Sequence, residues 1–329
     1  MRIAAWPVPA LLAIGLTAAP PTQEQRPAFR SGVYLVNVGV TVTDRKGNFV
    51  TTLGEQDFEV YEDGKKQAIR YFLRGGRRPG DETSRPTELH LGVLLDMSGS
   101  MEDDMSEEKN ASVRFLMTLD RADDITLVDF DTEVRIARYD ESNLPRLVER
   151  IRSRTAEGNT ALYDAIGVYL DNASHEQGRK ILVLYSDGGD NESEITVNDL
   201  KQLLRASDVT VYSIGFVSHL STSARALMQS SLQEMAEITG GQFFLPTSMK
   251  DLEAAYEKIK REISAQYSIG YLSTNERADG AWRKVEIKVV GEGRKDVRLR
   301  ARQGYYAPYR KGGHEGAAAG RPGPAASRH

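Results

Sequence analysis

The stretch Leu91-Gly92-Val93-Leu94-Leu95-Asp96-Met97-Ser98-Gly99-Ser100-Met101 constrains the fold of this chain more than any other. A short apolar run ends abruptly in an acid and two alternating serines. After Glu102, Asp103 and Asp104 a segment with helical spacing begins. An apolar run bounded in this way reads as a buried strand. A strand that is apolar on both faces belongs to a parallel sheet with helices packed on either side. Asp96, Ser98 and Ser100 then sit at its C-terminal end, where open α/β sheets gather their ligands. Three oxygen side chains at alternate positions can turn towards one point, and hard oxygen donors suit a hard cation such as Mg²⁺.

The chain on either side of the motif supports that fold class. Ala111, Phe115, Leu116 and Leu119 predict one apolar helical face, and Ile125 to Phe130 a strand that Val134 to Ala137 joins as an edge hairpin. Leu144, Leu147, Val148 and Ile151 mark a helix, and Leu162, Ala165, Ile166, Tyr169, Leu170 and Ala173 mark another at close to ideal spacing. Ile181 to Tyr185, Val209 to Phe216 and Gln242 to Leu245 read as further strands. Leu200, Leu203 and Leu204 fall between them at helical spacing, as do Leu227, Met228, Met235 and Ile238, a helix stopped by Gly240-Gly241. Leu252, Ala255, Tyr256, Ile259 and Ile263 close the series. Strands alternating with helices predict a doubly wound, mostly parallel sheet with helices on both faces.

The flanks follow a different rule. Val36, Val38, Val40 and Val42 alternate with Asn37, Gly39, Thr41 and Thr43, which is the period of a half-buried strand. Phe58 to Tyr61 and Ala68 to Phe72, joined through Asp63-Gly64, predict a hairpin. Val285, Ile287 and Val289 alternate in the same way, and Val297 to Ala301 and Gly304-Tyr305-Tyr306 follow. Neither flank has enough strands to stand alone, so the late strands are expected to pair with the early ones in a small β-rich domain. The expected organisation is a β segment at 31–75, a linker at 76–87, the α/β domain at 88–266 and a second β segment at 267–309. Residues 310–329, rich in Gly, Ala and Pro, are expected to be disordered.

Met1-Arg2, the apolar Ile3 to Leu16 and the small residues Thr17-Ala18-Ala19 read as a secretory signal peptide over 1–19, followed by a linker at 20–30. The expected location is therefore secreted or periplasmic, with no membrane span once the signal is cleaved. A retained N-terminal anchor is the alternative reading of the same residues. The chain contains no cysteine, which excludes disulfides, thiolate metal sites and a cysteine nucleophile. Its formal net charge of −4 argues against the basic footprint of a nucleic-acid binder. The five histidines are scattered and form no HExxH motif, which argues against zinc-protease chemistry.

Two further stretches belong with Asp96. Glu157-Gly158-Asn159-Thr160-Ala161 opens an amphipathic helix and places Thr160 at its first turn. Leu184-Tyr185-Ser186-Asp187-Gly188 ends an apolar strand in an acid. Asp96, Ser98, Ser100, Thr160 and Asp187 match in order the metal-ion-dependent adhesion site of von Willebrand factor type A domains, and residues 88–266 resemble that family. Asp57 to Gly64 (DFEVYEDG) and Gly304-Tyr305-Tyr306-Ala307-Pro308 also resemble a group of bacterial secreted proteins related to it. The resemblance implies a Mg²⁺ site, or Mn²⁺ or Ca²⁺, touched by Ser98, Ser100 and often Thr160, with Asp96 and Asp187 acting largely through water. It further implies a non-enzymatic role: an open coordination position takes an acidic side chain from a protein partner. Asp103 and Asp104 stand where some relatives carry a second metal, although a solvated acidic helix start accounts for them equally.

Two other readings of these residues remain. One is a Mg²⁺-dependent phosphatase resembling the haloacid-dehalogenase group, with Asp96 as nucleophile, Thr160 binding phosphate and Asp187 on the metal. That group needs a second Asp two residues after the first as its proton shuttle, and Ser98 stands there. The other is a scaffold whose metal site is structural or vestigial.

Overall fold

The computed structural model describes residues 35–77, 80, 87–119, 122–217, 220–291 and 296–309. The expected signal peptide, the 20–30 linker, the tail at 310–329 and most of the 76–87 linker lie outside the described residues. Strands β1 (Leu35–Thr43), β2 (Phe58–Glu62), β3 (Lys65–Gln67) and β4 (Ile69–Arg74) come first. The alternating series follows: β5 (Leu89–Asp96), α1 (Met105–Thr118), β6 (Asp124–Phe130), β7 (Val134–Tyr139), α2 (Leu144–Ser153), α3 (Leu162–Ser174) and β8 (Arg179–Ser186). It continues through α4 (Val197–Ala206), β9 (Thr210–Gly215), α5 (Thr222–Ile238), β10 (Gln242–Phe244) and α6 (Met249–Ala265). The last strands are β11 (Tyr267–Leu272), β12 (Trp282–Val289), β13 (Arg298–Ala301) and β14 (Gly304–Tyr306).

The central sheet has the order β10-β9-β8-β5-β6-β7. Its strands are parallel except β7, which pairs antiparallel with β6 at the edge. Every residue of β5 and β8 is buried, as a strand covered on both faces requires. Successive side chains of β5 serve opposite cores. Leu91, Val93 and Leu95 join Phe115 and Leu116 of α1, Ile151 of α2 and Ile259 of α6 on one face. Leu94 joins Leu170 of α3, Leu200 of α4 and Leu232 of α5 on the other. Gly92 also belongs to that second face, and a Cβ there would lie 2.2 Å from the Tyr169 ring. The glycine therefore admits Tyr169, whose hydroxyl donates to the Ile181 carbonyl at 3.1 Å.

Two four-stranded antiparallel sheets, β13-β1-β11-β4 and β14-β12-β2-β3, are built from both flanks. Val38 of β1 is paired with Ile269 of β11, and Val60 of β2 with Ile287 of β12. Val36, Val38, Val40, Phe58, Val60, Phe72, Tyr267, Ile269 and Tyr271 bury themselves between the sheets as one core. The α/β domain is thus inserted between β4 and β11, and each half of the β-rich domain supplies strands the other lacks. The junction is short: α6 ends at Ala265, Gln266 caps it, and β11 begins at Tyr267.

Four local expectations need correction. The turn at Asp63-Gly64 joins β2 to β3, while the stretch expected to complete the hairpin lies largely in β4, which pairs with β11 in the other sheet because its apolar face is buried there. Leu119 lies just past α1, whose last turn it caps with its backbone N–H, rather than within the helix. Thr160 precedes α3 instead of occupying its first turn, because Ala161 is the residue that caps the helix. On α5 only Leu232, Met235 and Ala236 are buried, and Leu227 is 64% exposed, so the expected apolar face covers only the C-terminal half of that helix.

Candidate metal centre

The sheet order makes β5 and β8 neighbours, so the ends of both strands open at the same carboxyl edge. Asp96 is the last residue of β5 and is fully buried. Its Oδ1 accepts from the Ser98 backbone N–H at 3.1 Å and from the Ser98 hydroxyl at 2.6 Å. Its Oδ2 accepts from the Ser186 hydroxyl at 2.6 Å, which ties the loop after β5 to the end of β8. The Ser98 and Ser100 hydroxyls lie 3.1 Å apart. Ser98 starts a short 3₁₀ turn at Gly99–Met101, but its side chain makes no capping bond and is turned to Asp96 instead. Ser98 is buried and Ser100 exposed, so the pair runs from the floor of the site to its rim.

The loop carrying Thr160 is held against this floor by its backbone. Gly99 N–H donates to the Gly158 carbonyl at 3.1 Å, and Glu157 N–H to the Met97 carbonyl at 2.8 Å. Gly158 adopts φ +74°, and a Cβ there would meet Thr132 Oγ1 at 2.5 Å, so both conformation and space require glycine. Thr160 is buried. Its N–H donates to Asn191 Oδ1 at 2.8 Å, and its carbonyl accepts from the N–H groups of Asn191 and Glu192 at 3.0 and 3.1 Å. Asp187 is buried at the first position beyond β8, and its Oδ1 accepts from Gly189 N–H at 2.8 Å. The loop after Asp187 therefore clasps the loop that carries Thr160. Asp190 extends the clasp by accepting from Tyr163 N–H at 3.1 Å.

All five predicted residues thus stand on three interlocked loops at one edge of the sheet. Asp103 is exposed and Asp104 half-exposed ahead of α1. Sequence reasoning passed over three contributors. Ser186 anchors Asp96, Asn191 locks Thr160, and Glu108 of α1 is wholly buried nearby. Glu108 was legible in principle, since it is a charged residue at the helical spacing of the buried Met105, Ala111 and Phe115. The other two needed the tertiary contacts.

The electrostatics are those of an anionic pocket. Burial pushes the Asp96 carboxyl up to about 7; the Ser186 and Ser98 hydrogen bonds oppose the rise and the Asp187 charge adds to it. Burial also raises the Glu108 carboxyl well above the usual range, with the Asp96 charge as the next cause. Among the described residues no three His, Cys, Asp or Glu side chains come together as a metal cluster. The expected ligands are instead two carboxylates and three hydroxyls, of which Asp96, Ser98 and Ser100 are joined by hydrogen bonds. A buried carboxylate bonded only to hydroxyls and an amide, with a second acid raising its proton affinity, lacks a positive charge. Hard oxygen donors with that deficit fit a divalent cation of the Mg²⁺ type.

Asn191 makes a direct prediction. Because it holds the Thr160 amide from an exposed loop position, Asn191→Ala should weaken Mn²⁺ binding by roughly tenfold, as loss of an outer-sphere partner does. Global stability should change little, and Asn191→Asp, which keeps the acceptor, should retain most of the affinity. Isothermal titration with Mn²⁺ checks this, and unchanged affinity in Asn191→Ala would remove Asn191 from the site.

A doubly wound sheet with interlocked oxygen-bearing loops at its carboxyl edge defines the class of this domain. The von Willebrand factor type A domain profile matches residues 90–258, and the chain belongs to that family. Similar solved structures include a von Willebrand factor type A protein from Catenulispora acidiphila, with 13% identity over 85% of this chain and 75% of that one and a TM-score of 0.46. An aerotolerance-related membrane protein from Bacteroides fragilis is similar at 16% identity over 53% of this chain and 98% of that one, with a TM-score of 0.44. The corresponding domain of the type V pili tip protein Mfa5 from Porphyromonas gingivalis shows 14% identity over 55% and 96%, also with a TM-score of 0.44. No curated protein matches the chain.

Proposed function

We propose that this protein captures an acidic side chain of a protein partner through a divalent cation held by Asp96, Ser98, Ser100, Thr160 and Asp187, and that it does so without catalysis. The observation that carries the reading is the buried Asp96 carboxylate, joined by hydroxyls to both neighbouring loops and facing a second acid. Mg²⁺ is the ion these donors suit best, with Mn²⁺ or Ca²⁺ as substitutes. Neutral hydroxyls next to a bound ion leave it electron-poor, and that Lewis acidity is what attracts a partner's carboxylate. Ser98 and Ser100 present the hydroxyls, Asp96 and Ser186 orient Ser98, and Asn191 holds Thr160 in place.

The signal-like start of the chain supports a secreted or periplasmic setting. Among the described residues no helix is long and apolar enough to cross a membrane. Ser98 in place of a second acid speaks against phosphoryl transfer, because the hydroxyl is committed to Asp96 and carries no titratable proton shuttle.

The test is capture of a partner by the immobilised mature protein in Mg²⁺. Binding should be lost in EDTA, return with added Mg²⁺ and fail in Asp96→Ala. Binding that survives both EDTA and Asp96→Ala would refute this mode. The raised Asp96 pKa adds a pH signature, since the metal must displace a proton. Metal affinity should climb from pH 5 to about 7 and then level, and a flat profile would contradict it.

A further inference from the structure

At the opposite edge of the sheet, where β8 begins, the α/β domain and the sheet β13-β1-β11-β4 enclose a crevice of about 910 Å³. Arg179, the first residue of β8, is 7% exposed and lines this space. Its Nη2 donates to the Ile263 carbonyl and, at 3.4 Å, to Gln266 Oε1, both neutral acceptors. Its Nε is buried with no hydrogen-bond partner. Burial lowers its pKa to about 10, and no carboxylate among the described residues supports its charge. Arg179 therefore remains a cation at neutral pH, buried with no counterion among the described residues. Buried charges are ordinarily paired, because an isolated one loses its hydration without recompense.

Among the described residues the rest of the crevice does not supply the missing anion. Its wall carries Arg77, Lys180 and Arg302 besides Arg179, against the acids Glu176 and Asp208. Asp208 is already taken, by Lys180 at 2.8 and 3.0 Å. Glu176 is taken by Arg138. The space is thus large and, among the described residues, bordered by more cations than acids, and the Arg179 guanidinium on its wall keeps donor capacity left over.

We propose that this crevice binds a small molecule through an oxyanion, a phosphate or carboxylate group, that pairs with the Arg179 guanidinium. A planar guanidinium with unused N–H donors is the side chain best matched to such a group. This site lies on the edge of the domain away from Asp96 and does not rest on the metal-capture reading.

The test uses inorganic phosphate and citrate as probes, in EDTA, with NaCl at matched ionic strength as reference. At least one probe should raise the melting temperature with concentration, as a ligand of the native state does. The shift should vanish in Arg179→Gln, with Kd weakened at least about tenfold, and be reduced in Arg179→Lys, which keeps the charge but loses the fork. The same shift in Asp96→Ala would place the binding away from the metal centre. Should Arg179→Gln fail to fold, ³¹P line broadening of phosphate by the wild-type protein, reversed by citrate, reads the site without a variant. Shifts no larger than those in NaCl together with no line broadening, or equal shifts in wild type and Arg179→Gln, would overturn the proposal.

Discussion

Asp96→Ala should abolish the rise in melting temperature that Mg²⁺, Mn²⁺ or Ca²⁺ gives the wild-type protein, while leaving the protein folded. Both halves follow from the same geometry. Asp96 ties the loop after β5 to the end of β8, through Ser98 and Ser186, so its loss removes charge and the orientation of the hydroxyls at once. Metal affinity should fall by two orders of magnitude or more, about 3 kcal/mol. The metal-free protein should not suffer in proportion. In the wild type, burial raises the Asp96 pKa to about 7, so above neutrality a desolvated charge is carried without compensation.

The sign of the pH dependence is set by proton counts. Between about pH 4 and 7 the folded metal-free protein holds a proton on Asp96 that the unfolded chain has released. Stability without metal therefore falls as pH rises through that window. Asp96→Asn, which keeps the shape and removes the charge, should flatten that fall, although Glu108, raised in the same direction, contributes a part that survives. EDTA-treated melts from pH 4.5 to 8 on both proteins would show this. A wild-type stability that increases over that range would mean that Asp96 is not the desolvated acid the geometry makes it.

The second large effect lies at the seam between the two domains. Glu262 of α6 is fully buried, accepts from Thr41 Oγ1 of β1 at 2.9 Å and is ion-paired to Arg300 of β13. Arg300 also reaches Gln242 Oε1 of β10 at 2.6 Å, so one guanidinium joins three elements. Arg300→Ala strands a buried carboxylate, and breaking a buried pair from one side typically costs about 3–5 kcal/mol. Glu262→Leu combined with Arg300→Met removes both charges and should recover most of that loss, because an apolar pair of similar volume can replace a buried ion pair. Chemical unfolding of both single variants and the double gives the coupling energy. If the double variant is as unstable as Arg300→Ala, the pair matters for something other than charge compensation at this seam.

The fold was legible because its signals are local. Apolar runs such as Leu91–Leu95 and Ile181–Tyr185 can be satisfied only by burial on both faces. The alternating valines of β1 need a partner sheet for one face. The too-small number of strands in each flank points to pairing across the insertion, and Val38 opposite Ile269 shows that arrangement. Helix ends were less readable. Thr160 is a favoured capping residue by type, yet its hydroxyl makes no cap and Ala161 takes the position, because both backbone groups of Thr160 are engaged by the loop after Asp187. Propensity lost there to a tertiary clasp.

The candidate site reads in the sequence as residue types at set intervals, whereas the residues that brace those positions do not. Ser186 and Asn191 are ordinary turn residues in the sequence, and only the neighbouring order of β5 and β8 brings Ser186 to Asp96. Arg179 precedes the apolar run Ile181–Tyr185, and no sequence motif marks it as buried. Its burial comes with the packing of the C-terminal end of α6 against the start of β8, a contact between segments more than eighty residues apart along the chain, Arg179 with Ile263.

The most direct test of the metal centre is a crystal of the mature protein grown in Mn²⁺ and measured near the manganese edge. The account predicts one anomalous peak among the hydroxyls of Ser98, Ser100 and Thr160, with Asp96 and Asp187 around it, and no peak there in Asp96→Ala. A map with no peak at these loops, or with manganese bound only at Asp103 and Asp104, would contradict it.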